Sequence, residues 1–580
     1  MSETTFIKGK ESSLESTIAK MYAKLEAVGI EIDAVSVLNP VPFVYSQHIR
    51  NKACDLMFTN GKGASAKACL ASALGEYFER LSCNYFFADY YLGSHFATDT
   101  FVHYPNEKWF PFDSQSETMP KGILDDNLWA FYDPEKALYP SQICDTNSGS
   151  GERGICTLPF VRQRDDEVIY FPVNIIGNLY VSNGMSAGNT ATEARIQALC
   201  EIYERYVKNK IIAEGICLPL IPTAILERFG DIQTSIAKLE SYGYTLRICD
   251  ASLGGKYPVI SVTLIHPKDG SVFASFGAHP CFEVALERTV TELLQGRTLS
   301  MLDDFHAPSF NLEEVADPQN LETHFINATG LLSYEFFKQS SDYDFVDWND
   351  EGSIDAQWEA LVTLASAEGK DIYIADYEHL GVYACRMLVP SMSEIYPVED
   401  LLWSNNNEGA YFREAFLSLH HLDNEEIEAI LEALEEGEYS DMLKIAEFIG
   451  VIPDPDTVWQ TLQLGELKAM FYLALGDYAQ AKEWVTWCNH IAVFDEERSK
   501  LYQCLHALLI IKIEAKDPSE YIPSLIQMYS QECVTLCEDI LSSKIKFQGL
   551  HSSGLSLKGF NKHQSLLESY ALVHEAKKRG

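Results

Sequence analysis

The sequence predicts an α/β region of mixed sheets and helices, followed by an all-α, tetratricopeptide-like region. Up to about residue 400, short apolar runs rich in β-branched and aromatic residues alternate with amphipathic stretches, which is the pattern of strands and helices that share a core. Beyond that point prolines become sparse and Asp/Glu-rich amphipathic stretches follow. The predicted domains are therefore residues 1–403 and 404–580, with the boundary in the polar stretch at 400–410.

The first region contains clear strand and helix patterns. Three short apolar runs are bounded by Gly, Pro or charged residues and predict buried strands over 168–173, 259–265 and 371–377. Three longer amphipathic stretches predict helices over 66–81, 192–208 and 282–299.

The second region reads as a series of helices. Residues 424–438 combine regularly spaced apolar residues with many glutamates, which predicts a surface helix. Residues 467–484 predict a helical hairpin whose turn begins at Gly476 and has the Gly-Asp-Tyr-x-x-Ala pattern of a tetratricopeptide repeat. Because any helical hairpin with a glycine turn produces this pattern, both interpretations stay open.

The composition excludes several functional classes. The chain has 44 basic and 84 acidic residues, a formal charge of −40, so it lacks the basic surface that general nucleic-acid binding or anionic membranes require. It has no signal-peptide pattern and no apolar run long enough for a membrane span, and we expect a cytoplasmic protein. Its 14 cysteines contain no C-x-x-C pair and predict reduced thiols. Cys533 and Cys537 share a helix face without a second ligand pair, so we expect no metal there.

The most informative feature is a repeated charge pattern. Residues 63–80 and 188–205, at an offset of 125 positions, share a Gly, the pair Ala-Leu and the ending Glu-x-aromatic-Glu-Arg. Residues 285–292 keep the Ala-Leu pair but exchange the two charges. Each helix thus places opposite charges four residues apart on one face: Glu76 with Arg80, Glu201 with Arg205, and Arg288 with Glu292.

Two interpretations of these pairs stay open at this point. Exposed i,i+4 ion pairs contribute only about 0.2–0.5 kcal/mol each and need no function. The apolar neighbours and the additional glutamates favour a shared, partly buried site, where repulsion among carboxylates requires cations. Arginines and Mg²⁺ supply that charge, and Mg²⁺ in such a setting also holds phosphates, so the pattern predicts a nucleoside triphosphate site. Its carboxylates are Glu76, Glu79, Glu193, Glu201, Glu204 and Glu292, and its arginines are Arg80, Arg205 and Arg288.

Two other motifs offer alternative functions. Residues 61–66 match the G-x-G-x-x-A form of the dinucleotide fingerprint, but no strand with an acidic end follows about 20 residues later. Residues 184–188 match the nucleophile-elbow pattern G-x-S-x-G, so a Ser–His–Asp hydrolase stays an alternative. The chain has no P-loop motif.

With these motifs the sequence resembles the YcaO family, whose members bind ATP. The first family signature, S-x-x-x-E-x-x-E-R, matches Ser72, Glu76, Glu79 and Arg80. The second matches Ser186, Glu193, Gln197, Glu201, Glu204 and Arg205, and the third, R-x-x-x-E, matches Arg288 and Glu292. The resemblance spans residues 1–400 and continues into the helical region.

The resemblance implies the ligands and the roles of the site residues. ATP and Mg²⁺ are the expected ligands, and Lys10, Lys67 and Asn189 lie where the family places further nucleotide contacts. The implied metal ligands are Glu76, Glu79, Glu201, Glu204 and Glu292, of which Glu76, Glu201 and Glu292 are the implied catalytic residues. The remaining signature residues are implied to bind ATP.

The resemblance also implies a reaction. Family members activate a backbone amide by transferring the γ-phosphate to its oxygen, and azoline-forming members end in a proline-rich tail that this chain lacks, its last proline being Pro523. Stand-alone relatives resemble an accessory factor for the β-methylthiolation of an aspartate in a small-subunit ribosomal protein by a radical methylthiotransferase. We therefore expect an accessory factor that hydrolyses ATP, and also a homodimer. A peptide cyclodehydratase and a non-catalytic scaffold are the alternatives.

Overall fold

A computed structural model describes residues 4–113, 116–303, 305–401, 407–492 and 494–580. The predicted domain boundary between residues 403 and 404 lies outside the described residues. Over the described chain, no helix is both long enough and apolar enough to cross a membrane.

The strands form three sheets, and neighbouring strands within each sheet run antiparallel. The first sheet has the order β1-β2-β3 and the second the order β10-β9-β8, while the third has the order β4-β5-β11-β12-β7 with β6 paired to β5. The strands are β1 (Ile32–Val41), β2 (Val44–Asn51), β3 (Phe58–Gly63), β4 (Lys108–Phe110), β5 (Ile155–Arg162), β6 (Val168–Pro172), β7 (Met185–Gly188), β8 (Thr245–Asp250), β9 (Val259–Ile265), β10 (Val272–Ala278), β11 (Tyr373–Tyr377) and β12 (Tyr383–Leu388).

This topology decides against the two alternative motifs. A dinucleotide-binding fold needs a parallel sheet with a glycine-rich turn, whereas Gly61 and Gly63 lie within the antiparallel strand β3. A nucleophile elbow needs its serine on a sharp turn between strand and helix, whereas Ser186 lies inside β7 and is fully buried.

Helices pack around these sheets in the first region. The strands predicted over 168–173, 259–265 and 371–377 correspond to β6, β9 and β11, and the three predicted helices correspond to α2, α6 and α9. The helices are α1 (Leu14–Val28), α2 (Ala66–Ser82), α3 (Ser94–Ala97), α4 (Asp126–Tyr132), α5 (Val173–Ile175), α6 (Ala191–Glu214), α7 (Thr223–Leu226), α8 (Gly230–Ser241), α9 (Phe282–Leu293), α10 (Leu312–Val315), α11 (Pro318–Ile326) and α12 (Ile354–Ala367).

Two predicted helix ends were misplaced. Helix α6 continues past residue 208 to Glu214, where Gly215 adopts a left-handed conformation (φ 63°) that ends it. Helix α9 ends at Leu293 and not at 299, and Gly296, with φ 70°, follows in the turn. A glycine with positive φ lies within three residues after each end, and the apolar pattern by itself does not indicate it.

The second region is helical, as predicted, with α14 covering the glutamate-rich stretch and α17–α18 forming the hairpin. Gly476, at φ 75°, caps α17 and makes the turn. The helices are α13 (Asn407–Leu417), α14 (Asn424–Glu436), α15 (Ile445–Phe448), α16 (Val458–Thr461), α17 (Leu464–Leu475), α18 (Tyr478–His490), α19 (Glu496–Ile513), α20 (Pro518–Tyr529), α21 (Gln531–Leu541) and α22 (Asn561–Arg579). The tetratricopeptide-like character stays a prediction.

The last helix, α22, packs on the first region. Tyr570 and Val573 are buried in the same core as Leu25 of α1 and Leu74 of α2. The Tyr570 hydroxyl donates a hydrogen bond to the carbonyl oxygen of Val102. The C-terminal helix therefore contributes to the core that supports α2.

Candidate functional site

Three strand–helix units carry the repeated charge pattern: β3 with α2, β7 with α6, and β10 with α9. In the first two units a glycine on the strand lets the helix lie directly on it. A Cβ atom at Gly61 would lie 2.2 Å from the carbonyl oxygen of Cys69, and one at Gly188 would lie 2.8 Å from the backbone nitrogen of Ala194. The repeat in the sequence is therefore a repeat of one packing unit, since only glycine permits this approach.

Side-chain caps begin the first two helices at matching positions. The Ser65 side chain accepts a hydrogen bond from the backbone of Ala68 at the start of α2, and the Thr190 side chain accepts one from Glu193 at the start of α6. The apolar face of α2, which includes Leu74, is buried in the core. The capped starts and the buried faces together fix which side of each helix presents the glutamates.

The first two predicted ion pairs are present. Arg80 Nη2 lies 2.8 Å from Glu76 Oε1, and Arg205 Nη2 lies 3.0 Å from Glu201 Oε1. The Arg80 guanidinium lies 5.1 Å from the centre of the Tyr85 ring, and the Arg205 guanidinium lies 4.6 Å from that of Phe325. Each arginine is thus held between a carboxylate and an aromatic ring, which fixes its direction.

The third pair does not form as expected. Among the ion pairs of the described chain, Glu292 binds Lys62 of β3 and has no pair with Arg288. Arg288 instead donates a hydrogen bond to Gln197 of α6. Both side chains of α9 therefore reach across to other elements and join the three units.

Lys62 lies among the charged groups of all three units, and sequence reasoning missed it. It pairs with Glu292, and its electrostatic neighbours are Arg288, Glu204, Glu76 and Glu201. Burial, and then the positive charge of Arg288, lowers the pKa of Lys62 to about 8. The sequence feature that could have indicated Lys62 is its position between two glycines, at the end of the strand that leads into α2.

The carboxylates are close enough to perturb one another. Burial, followed by the negative charges of Glu201 and Glu76, raises the pKa of Glu79 well above its ordinary value. Burial also raises the pKa of Glu76, against the opposing charge of Arg80, although 26% of the Glu76 side chain is exposed. Glu76, Glu79 and Glu201 therefore lie near enough to repel one another, and a bound cation would relieve that repulsion.

A second network surrounds Glu193 at the start of α6. Its carboxylate accepts hydrogen bonds of 3.1 Å from Lys10 Nζ, from the backbone of Glu11 and from Asn189 Nδ2. Burial alone would raise the pKa of Glu193, but the charge of Lys10 and the hydrogen bonds from Asn189 outweigh it and lower this pKa. The structure thus brings Lys10 to Asn189 and Glu193, which are close to each other but far from Lys10 in sequence.

One pocket connects this network with the charges of α9. Its lining includes Lys10, Glu193, Gln197, His279 and Arg288. Burial and the positive charges of Arg288 and Lys10 lower the pKa of His279 to about 3, so its imidazole is neutral at neutral pH. His279 forms a polar part of the pocket wall.

The remaining predicted residues occupy different positions. Ser72 on α2 accepts a 3.4 Å hydrogen bond from the Lys62 backbone, and Ser186 is buried with its hydroxyl unpartnered among the described residues. Glu204 accepts a 3.2 Å hydrogen bond from the backbone of Ala278. Lys67 is paired with Glu15 of α1, so the structure places it in a network at the N-terminal segment.

Lys208 is a further positive charge beside α6 that sequence reasoning missed. Its ammonium group donates a 2.7 Å hydrogen bond to the His324 carbonyl oxygen. Burial, and then the charge of Arg205, lowers the pKa of Lys208 to about 7. The sequence feature that could have indicated Lys208 is its position three residues after Arg205, on the same helix face.

The residues fit a triphosphate with Mg²⁺. Carboxylate oxygens are hard ligands for Mg²⁺, and the arginines and Lys62 provide positive charge for phosphate oxygens. The Arg288 Nε atom is buried and lacks a hydrogen-bond partner among the described residues. No three of these carboxylates bring ligand atoms within 4.8 Å of one another in the described chain. Mg²⁺ is usually bound through one or two carboxylates together with substrate phosphates, so three converging carboxylates are not required.

The raised pKa of Glu79 predicts a pH-dependent stability in the absence of divalent cations. A carboxyl group whose pKa is higher in the folded protein than in the unfolded chain destabilises the fold as pH rises from the unfolded value, about 4.3, through the folded value. We therefore expect the ionised Glu79 to lower the melting temperature of the chelator-treated protein by an amount that grows over this range. The melting temperature of Glu79→Gln relative to the wild type should accordingly rise with pH in thermal melts, and a constant difference between the two proteins would contradict the prediction.

The family models that match this chain describe one protein family. A family model described as "YcaO cyclodehydratase, ATP- and Mg²⁺-binding" matches residues 60–393, and one described as "YcaO cyclodehydratase C-terminal domain" matches residues 409–579. The chain is 52% identical over 578 residues to "Ribosomal protein S12 methylthiotransferase accessory factor YcaO" of Escherichia coli strain K12, covering 99% of this chain and 98% of that protein.

Two further similarities complete the comparison. The chain is 50% identical over 585 residues to an uncharacterized protein of Haemophilus influenzae strain Rd, covering 100% of this chain and 99% of that protein. It also resembles the solved structure of YcaO from Methanopyrus kandleri bound with AMPPCP and Mg²⁺, at 18% identity and a TM-score of 0.41, covering 68% of this chain and 95% of that one.

Proposed function

The chain belongs to the YcaO family, and on this basis we propose that it binds and hydrolyses ATP with Mg²⁺ as an accessory factor. The modification that it assists is the β-methylthiolation of an aspartate in a small-subunit ribosomal protein. The observation that carries this proposal is the 52% identity, over nearly the whole of both chains, to the Escherichia coli accessory factor. The family, the α/β fold with a helical C-terminal region, and ATP and Mg²⁺ as the family's ligands agree with the sequence prediction.

The charged cluster supports ATP binding in this proposal. Bound Mg²⁺ would neutralise phosphate charge and orient the γ-phosphate. The carboxylates that would hold it are Glu76, Glu79, Glu201, Glu204 and Glu292. Arg80, Arg205, Arg288 and Lys62 would bind phosphate oxygens, and the partners that already fix the first three reduce the ordering cost of binding.

The second network supports nucleotide positioning. Lys10, Asn189 and Glu193 tie the N-terminal segment to the start of α6, and Gln197, one turn along, connects to Arg288. The neutral His279 and the carboxylate of Glu193 line the same pocket and offer hydrogen-bond acceptors or donors to an uncharged part of the nucleotide. We propose that this network binds the nucleoside and that the glutamate cluster binds the triphosphate.

Cells provide the test of the accessory role. Deleting the gene should leave the ribosomal protein without its methylthio group, and the wild-type chain should restore it, as measured by intact-protein mass spectrometry. Glu201→Gln should fail to restore it, whereas Glu214→Gln, at the surface end of the same helix, should succeed. Modified ribosomal protein in the deleted strain would refute the role, and restoration by Glu201→Gln would instead support the interaction scaffold.

A peptide cyclodehydratase is the second candidate, and the description of the matching family model favours it. Such an enzyme would remove water from a Cys-, Ser- or Thr-containing peptide in an ATP-dependent reaction. If this candidate were right, mass spectrometry of a peptide panel incubated with the protein, ATP and Mg²⁺ would show a loss of water. We expect no such loss, and observing it would favour the cyclodehydratase over the accessory factor. The radical methylthiotransferase partner, the homodimer and the cytoplasmic location stay predictions.

A further inference from the structure

Three cysteines meet in the helical region, far from the glutamate cluster in sequence. Cys533 and Cys537 lie one turn apart on α21, and Cys504 of the packed helix α19 faces them. Their sulfur atoms all lie within 4.8 Å of one another, and the Cys537 thiol donates a 3.6 Å hydrogen bond to the Leu501 carbonyl oxygen of α19. The sequence showed the first two without a further ligand, which was the reason to expect no metal, and the structure supplies a third sulfur.

This convergence is unusual within the described part of the chain. No other three His, Cys, Asp or Glu side chains there bring ligand atoms as close together. Three sulfurs that bind one tetrahedral ion at about 2.3 Å lie about 3.8 Å apart, so small side-chain rotations suffice to close the site. Cys504 and Cys537 are buried, whereas Cys533 is half-buried and leaves a route for an ion to enter.

We propose that Cys504, Cys533 and Cys537 form a binding site for a thiophilic d¹⁰ metal ion, Zn²⁺ or Cu⁺. Soft thiolate ligands select these ions, and the described residues offer no fourth side chain at this distance. Zn²⁺ would take an external fourth ligand, and Cu⁺ would be three-coordinate. The three thiols would lose their protons on binding, so affinity rises with pH.

The site would link α19 to α21. The two helices already share a core that includes Leu505, Leu508 and Val534. An ion bound by both helices would stabilise their packing, because binding free energy from a site that exists only in the folded state adds to folding stability. The ion would thus stabilise the helical C-terminal region.

Metal titration of the full-length protein tests the proposal. The reduced, chelator-treated protein is titrated with Co²⁺ under anaerobic conditions, where thiolate-to-cobalt charge-transfer absorption reports sulfur ligands and ignores the glutamate cluster. We expect one equivalent of sulfur-bound Co²⁺. Displacement by Zn²⁺ would identify zinc, and competition for Cu⁺ against bathocuproine disulfonate would identify copper. Failure to bind any of the three ions through sulfur would overturn the proposal.

Variants separate this site from the other cysteines. Cys533→Ser, the most accessible substitution, and Cys504→Ala should each reduce metal affinity at least about 10-fold. Cys488→Ala changes another buried cysteine of the same core and should leave binding unchanged. Equal binding in Cys533→Ser and the wild type would overturn the proposal. Isolation of the protein with two of the three cysteines in a disulfide, and with no metal binding after reduction, would overturn it as well.

Discussion

Replacing Glu201 by Gln is expected to lower Mg²⁺-dependent ATP hydrolysis at least about 100-fold. The substitution keeps the shape of the side chain but removes the charge that pairs with Arg205 and acts on Glu79 and Lys62. An amide is a much weaker Mg²⁺ ligand than a carboxylate. Phosphate release by the purified protein, at saturating ATP and Mg²⁺, measures the effect.

The same helix provides a matched control for this experiment. Glu214 ends α6 and pairs only with Lys210 at the surface among its described ion-pair partners. Glu214→Gln should therefore leave hydrolysis within about twofold of the wild type. Calorimetric titration with ATP should show that Glu201→Gln has lost metal-dependent affinity. Wild-type hydrolysis and affinity in Glu201→Gln would refute the placement of the ATP site.

Replacing Tyr570 by Ala is expected to destabilise the protein by about 3–5 kcal/mol. Tyr570 is buried, donates a hydrogen bond to Val102 and packs edge-on against Phe87 and Phe96. Its loss leaves a cavity and an unpaired carbonyl oxygen in the core that supports α2. Guanidinium unfolding, followed by circular dichroism, measures the effect as a lower midpoint.

Leu572, on the same helix, is the control for that substitution. It is 41% exposed, and Leu572→Ala should change stability by less than about 1 kcal/mol. Equal midpoints for the two variants would contradict the role of α22 in the first region. The comparison also shows whether a helix from the C-terminal part of the chain stabilises the ATP-binding part.

Much of the site was predictable because its signals are local. The spacing of Glu76 and Arg80, or of Glu201 and Arg205, follows from helix geometry, and both ion pairs are present. The strand and helix patterns were also local, and the fold class followed from them. Helix ends were less predictable. The apolar periodicity predicted that α9 extends to residue 299, whereas the helix ends at Leu293 and a turn containing Gly296 follows, because periodicity does not indicate where a glycine turn lies.

The residues that the sequence missed are those whose role depends on distant partners. Lys62 interacts with groups on α2, α6 and α9, yet alone it reads as one lysine between two glycines. Arg288 and Glu292 have the spacing of an ion pair, but each binds another element. Cys504 reads as an isolated buried cysteine until α19 packs on α21.

The sequence by itself determined the family, an α/β region followed by a helical one, and the repeated glutamates and arginines, because these follow from periodicity and fixed spacing along one chain. Only the tertiary structure decided which charges meet, that α22 returns to the first region, and that three thiols converge. Such contacts join residues separated by dozens to hundreds of positions, and their pairing depends on how whole elements pack, which no local pattern encodes.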